Sequence, residues 1–141
     1  MGARTSGREA ALQMLFALEG NDAALERTIA WFWRVAASDA AETALTPDAR
    51  AYADRIVRGV SEDLAKVEEI VRAASTNWRI ERMARVDRNV LRLGAYEILY
   101  TDTPGRAAIN EAVELAKRFG SANSAPFVNG ILDKFLKRDP A

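Results

Sequence analysis

Apolar residues recur along this chain at steps of three and four, the spacing of one helix face, and nowhere does a convincing strand alternation replace it. In "TSGREAALQMLFALEG", Leu12, Leu15, Phe16 and Leu18 form an apolar face, Ser6-x-x-Glu9 has the spacing of a capping box, and Gly20 ends the segment. A second helix opens at Asn21 or Asp22 and carries Leu25, Ile29, Phe32 and Trp33, with Trp31 widening the face. Thr46 is an N-cap and Pro47 a first helical residue for a long run through Tyr52, Ile56, Val60, Leu64, Val67 and Val71. The register survives Gly59, so the spacing predicts one continuous helix. A short helical turn around Ile80 to Met83 follows, then a helix with Asp87 as N-cap running to Tyr100, stopped by Asp102-Thr-Pro104-Gly105. Ile109, Ala112, Val113 and Ala116 mark the next helix, with Gly120 at its C′ position, and Ser124 and Pro126 begin the last.

That last segment, "FVNGILDKF", holds two conflicting signals. Asn129-Gly130 is a strong hairpin-turn pair, yet Phe127, Val128, Ile131, Leu132, Phe135 and Leu136 repeat with the helical period. Burying six large side chains outweighs the roughly 1 kcal/mol that glycine costs inside a helix, so helix is expected. Gly130 would then allow close helix contact, and Asn129 would bond a neighbouring backbone. The expectation is an all-α domain of about six to seven helices, with an N-terminal subdomain over about 1–75 and a C-terminal one over about 76–141.

Composition removes many functions. With no Cys and no His, the chain has no thiol nucleophile, no His-based triad and no thiolate or imidazole zinc site. No cofactor and no catalytic or metal-binding residue is expected. Glu111 and Glu114 share a helix face, but carboxylate-bridged bundles pair such acids with His. Twenty basic and twenty acidic side chains cancel, so nucleic-acid binding requires a local patch. Residues 1–75 sum to −3 and residues 76–141 to +3, the sign changing near Ala74 to Asn77. The arginines at 79, 82, 85, 88 and 92 would form a stripe on one helix, either phosphate-binding or a solvated face paired with Glu81 and Asp87; the second reading is favoured. Arg4 and Arg8 lie one turn apart near a helix N-terminus, where phosphate is also favoured. The N-terminus lacks the apolar core of a signal peptide, and no run is long enough to span a bilayer, so a cytoplasmic protein is expected.

Taken together, "REAALQMLFALE", "NWRIERMARVDRNVLRLGAYEIL", "INEAVELAKRFGS" and "FVNGILDKF" resemble the NusB family of bacterial transcription antitermination factors, from about Arg4 to Lys137. The resemblance implies two packed subdomains of three or four helices and no enzymatic activity. It further implies binding to the boxA element of nascent rRNA transcripts together with NusE, a small-subunit ribosomal protein. Other Nus factors and RNA polymerase would join through that complex. By the same resemblance, RNA would be met by Arg4, Arg8, Gln13 and Phe16, and by Lys117, Arg118, Ser121, Asn123, Ser124 and Phe127. Asp87, Arg88, Tyr96 and Glu97 would face NusE, and Asn110, Glu111 and Asn129 would maintain the fold. The family's arginine-rich motif is reduced to two arginines in "RTSGRE", which predicts weak RNA binding without NusE. The alternatives are a helical protein-binding module and an accessory domain of the kind fused to rRNA cytosine methyltransferases. Monomer and homodimer both remain open.

Overall fold

Helical spacing becomes seven α-helices and one 3-10 turn in the computed structural model, which describes residues 2–19, 24–38 and 45–138. In order they are α1 Ala3–Leu18, α2 Leu25–Ser38, α3 Pro47–Glu62, α4 Leu64–Ala74, the 3-10 turn Ile80–Arg82, α5 Arg85–Tyr100, α6 Gly105–Phe119 and α7 Ser124–Arg138. No strand occurs among the described residues. The all-α expectation holds, and the chain divides into two compact units, Met1–Ser61 and Glu62–Ala141. The division falls at the α3–α4 junction, ahead of the stretch near Ala74 to Asn77 where the charge balance changes sign.

In the first unit the buried face of α1 is Ala10, Ala11, Leu12, Met14 and Leu15, and that of α3 is Ala49, Tyr52, Ala53, Ile56, Val57 and Val60. Small residues bring these helices close: a Cβ on Gly7 would stand 2.8 Å from the Ala49 carbonyl oxygen. Thr46 caps α3 as its sequence position predicts, its hydroxyl accepting the Ala49 N–H at 3.1 Å. Helix α2 buries Thr28 and Ile29 and joins α3 through Trp33, whose indole N–H donates to Asp54 at 2.9 Å, and through an ion pair between Glu26 and Arg58. Trp31 does not widen the buried face, being 53% exposed. Helix α1 starts before Ser6, at an N-cap Gly2 with no side-chain cap, so no capping box forms. Phe16, expected in the apolar face of α1, is 37% exposed. The expected boundary residues Gly20, Asn21 and Asp22 lie outside the described residues.

The continuous helix expected from Pro47 to Val71 is broken at Asp63, which ends α3 and precedes α4 with non-helical backbone. Gly59 stays helical and buried. The break takes Leu64 out of register, 38% exposed, while Val67 and Val71 are buried. Ser61 and Glu62 precede Asp63, and Ser and Asp both compete for local backbone bonds that weaken a helix interior.

In the second unit α5, α6 and α7 pack around Val90, Leu91, Leu93, Ile109, Leu115, Val128, Ile131 and Leu132. Gly94 faces Leu132, to which an added Cβ would come within 2.8 Å. Helix α4 is tied to α5 by Glu68, which takes Nη2 of Arg92 at 2.5 Å, while the same guanidinium reaches Asn89 at 2.9 Å. Helix wins over hairpin in α7. Val128, Ile131, Leu132 and Phe135 are buried, whereas Asn129 and Gly130 are exposed with nothing near the glycine's missing Cβ. The close contact expected of Gly130 is therefore absent among the described residues, and Asn129, expected to bond a neighbouring backbone, is exposed, as is Asn110. Gly120 caps α6 with φ −102 rather than a left-handed turn. A side chain there would collide with Ser124 and stand 2.8 Å from the Ala116 carbonyl oxygen.

Candidate functional site

The fold places the sequence-derived candidates in three groups, some of their side chains exposed and some buried. At the start of α1, Arg4 is exposed with its guanidinium 5.1 Å from the Tyr52 ring centroid. Arg8 lies over the same ring at 5.5 Å but is only 5% exposed. Two cations lie against one aromatic ring, an attraction that grows as water is excluded. Arg4 thus offers charge to the exterior, and Arg8 packs α1 onto α3. The first turn of α1 holds no acidic residue, so its N–H groups and Arg4 act on an anion with the same sign. Gln13 and Phe16 are exposed farther along α1. Nine residues separate Arg4 from Gln13, about 180° around an α-helix, so these two occupy opposite flanks.

The second group surrounds the α6–α7 turn. Lys117 and Arg118 end α6, where cations complement the helix dipole, and both are exposed. Lys117 lies 3.4 Å from Glu114, and Arg118 extends over Phe119, 5.8 Å from its centroid. Ser121 and Asn123 are exposed, but Ser124 is buried and holds the turn closed. Its hydroxyl accepts the Ser121 N–H at 3.0 Å while its own N–H donates to the Ser121 carbonyl at 3.1 Å. Phe127 is half-buried and meets Trp78 edge-on, centroids 5.6 Å apart and planes at 90°.

The third group lies on α5. Asp87 is not the N-cap, because the helix begins two residues earlier, at Arg85 after Ala84. One Asp87 carboxylate oxygen is buried with no hydrogen-bond partner among the described residues. Arg88 is half-buried and donates to the Met83 carbonyl at 2.7 Å. Tyr96 is buried against Tyr100, centroids 5.1 Å apart. Glu97 is 0% exposed and accepts from the Thr103 hydroxyl at 3.3 Å. Glu97 and Tyr96 therefore support the fold and leave little or no surface for a partner.

The arginine stripe is not one stripe. Arg79 and Arg82 precede α5, Arg88 and Arg92 bond within the unit, and Glu81 is engaged by Arg72 at 2.8 Å. That hydrogen bond holds the Glu81 carboxyl below its ordinary value, helped by a backbone hydrogen bond at Glu81. Among the described residues no group of three or more acidic side chains could hold a metal ion, and no helix is long and apolar enough to cross a membrane. Sequence reasoning missed Tyr52 as the support of both arginines and Trp78 as a partner of Phe127. Tyr52 was hidden by fitting the core register perfectly well, whereas Trp78 stands outside any helical register, a signal available from the sequence.

The described residues are all-helical, with exposed cations near the start of α1 and at the end of α6. The family model of the NusB family matches residues 5–137, and the chain belongs to that family. It is 60% identical over 138 residues to the transcription antitermination protein NusB of Sorangium cellulosum (strain So ce56), covering 97% of this chain and 94% of that one. The corresponding protein of Anaeromyxobacter sp. (strain Fw109-5) is 47% identical over 135 residues, covering 93% and 87% of the two chains. Among solved structures, NusB of T. maritima superposes with a TM-score of 0.82 at 35% identity, covering 100% of this chain and 94% of that one. Antitermination factor NusB, solved with NusE and double-stranded RNA, shares the fold with a TM-score of 0.81 at 24% identity, covering 97% and 98%.

Proposed function

We propose that this protein is a transcription antitermination factor that binds boxA-type RNA of nascent rRNA transcripts together with NusE, acting by binding and not by catalysis. The observation that carries the reading is the 60% identity to an antitermination protein over nearly the full length of both chains. The fold of a NusB solved with NusE and RNA supports it.

Arg4, Gln13 and Phe16 are the proposed RNA contacts of α1, with Arg8 a positioning residue packed against Tyr52. In the second unit Lys117, Arg118, Ser121, Asn123 and Phe127 are the proposed contacts, and Ser124 holds their turn. Asp87 and Arg88, each half-buried on α5, are proposed to face NusE. A cytoplasmic setting, and recruitment of other Nus factors and RNA polymerase through the assembled complex, belong to the same reading. With one outward arginine at the N-terminal motif, RNA affinity is low without NusE, because each missing phosphate contact lowers affinity and salt dependence together.

The test is fluorescence anisotropy of a labelled boxA-type RNA against a scrambled one, with and without NusE. Preference for boxA that tightens with NusE and weakens in Arg4→Ala is the expected result. Equal binding of both RNAs in the presence of NusE overturns the reading and favours a protein-binding module.

A further inference from the structure

Among the described residues Trp78 is the most exposed large apolar side chain, at 60%, and the fold holds it there from both sides. Before it, Ser75 is buried with its hydroxyl on the Val71 carbonyl at 2.7 Å, and the Trp78 N–H donates to the Ser75 carbonyl at 2.9 Å. After it, Ile80 is buried and opens the 3-10 turn. The indole is thus displayed from a fixed backbone, with Phe127 propping it edge-on.

Its neighbours in the chain, Asn77, Arg79 and Arg82, are exposed and polar or cationic, and the nearby acid Glu81 is occupied by Arg72. Between Leu64 and Tyr100 no other large apolar side chain is exposed. A solitary ring amid polar and cationic groups is a poor match for the broad apolar centre of a protein interface. It suits a flat, unpaired base on an anionic backbone, where stacking supplies affinity and guanidinium groups meet phosphate.

We propose that Trp78 is a base-stacking platform for single-stranded RNA, propped by Phe127 and continuing the RNA surface of the α6–α7 turn. This rests on the RNA-binding reading above. The indole stacks on one unpaired base, and Arg79 and Arg82 neutralise phosphates beside it.

The experiment compares wild type, Trp78→Ala and Trp78→Phe for binding of the boxA-type RNA in the presence of NusE, with NusE affinity measured separately by calorimetry. Stacking predicts about tenfold or greater weakening in Trp78→Ala, retention within a few-fold in Trp78→Phe, and unchanged NusE affinity. RNAs carrying one abasic site at successive positions add a second readout. One position should weaken wild type and cause no further loss in Trp78→Ala, the mark of a direct pair. Quenching of intrinsic emission by RNA that disappears in Trp78→Phe reports the same contact without relying on the alanine variant folding.

Wild-type RNA affinity in Trp78→Ala, while Arg4→Ala still weakens binding, overturns the platform and leaves the RNA-binding reading intact. Lower NusE affinity in Trp78→Ala with no abasic coupling overturns it in favour of a protein contact. Failure of the wild-type complex to prefer boxA overturns both.

Discussion

The α1–α3 contact and the α6–α7 turn use the same residue types, cations beside aromatics, and divide them oppositely between core and surface. At the first, the aromatic is interior: Tyr52 is buried, Arg8 is buried on it, and only Arg4 reaches outward. At the second, Lys117 and Arg118 are exposed, and Phe127 meets an indole that is itself largely exposed. Gly7 accounts for part of the difference, since it lets the α1 backbone come against Ala49 and closes the space around Tyr52. Trp78 instead occupies a loop whose inward positions are taken by Ser75 and Ile80. An arginine in a motif is therefore a surface charge or a packing element according to what approaches it from the next helix.

The largest effect that would sharpen this contrast is expected from Tyr52→Ala. Removing the buried ring should cost about 3–5 kcal/mol, as for other large aromatic truncations, measured by urea denaturation. A loss below about 1 kcal/mol, within the range of ordinary substitutions, would break the contrast, since Tyr52 would then not be a core residue.

Next in size is the split between the two arginines. Arg8→Ala should destabilise by up to about 2 kcal/mol through loss of a desolvated cation–π contact. Arg4→Ala should leave the urea midpoint unchanged within about 0.5 kcal/mol and flatten the salt dependence of RNA binding by roughly 0.7 in log–log slope for each phosphate contact removed. Equal effects of the two substitutions on stability would show that burial does not distinguish them.

At the other site, Ser124→Ala leaves the Ser121 N–H without its acceptor, so a loss of about 1 kcal/mol is expected. It should be visible as a lower thermal midpoint, together with faster amide exchange at Ser121. Unchanged exchange would mean that the turn does not depend on this hydroxyl.

The smallest effects are those of the exposed ion pairs. Glu26, lowered chiefly by its hydrogen bond from Arg58, and Glu81, lowered chiefly by that from Arg72, both have folded pKa values below the ordinary 4.5. Their stabilising contribution is complete above the unfolded value and disappears as pH falls through the depressed one. Glu26→Gln and Glu81→Gln should each lower the thermal midpoint slightly at neutral pH and not at all in strong acid. A wild-type-to-variant difference that persists at the acidic end would show that packing, and not charge, links these residues.

Most helices were legible because their apolar residues follow the helical period through each buried face, and the Thr46-Pro47 start of α3 is written in side-chain chemistry alone. Helix ends were less so. The start of α1 at Gly2 and of α5 at Ala84 uses no side-chain cap, so Ser6 and Asp87 were attractive but wrong signals. The break at Asp63 escaped because spacing continues acceptably across it, and only the burial of Val67 and Val71 with Leu64 outside reveals the change of phase. Among site residues, Arg4, Lys117, Arg118 and Asn123 kept exposed surface, whereas Arg8, Ser124, Tyr96 and Glu97 became structural. Their roles depend on neighbours from other helices, which linear spacing does not specify.

By itself the sequence determined the all-helical class, the choice of helix over hairpin at Asn129-Gly130, the exclusion of Cys and His chemistry, and the likeness to the NusB family. These follow from local periodicity and from residue types present or missing, which need no knowledge of what packs where. Only the tertiary structure decided which charges face outward, where α3 gives way to α4, that Tyr52 serves two arginines, and that Trp78 is held out beside Phe127. Each of those depends on contacts between residues distant in the chain, and burial is a property of the partners a side chain meets.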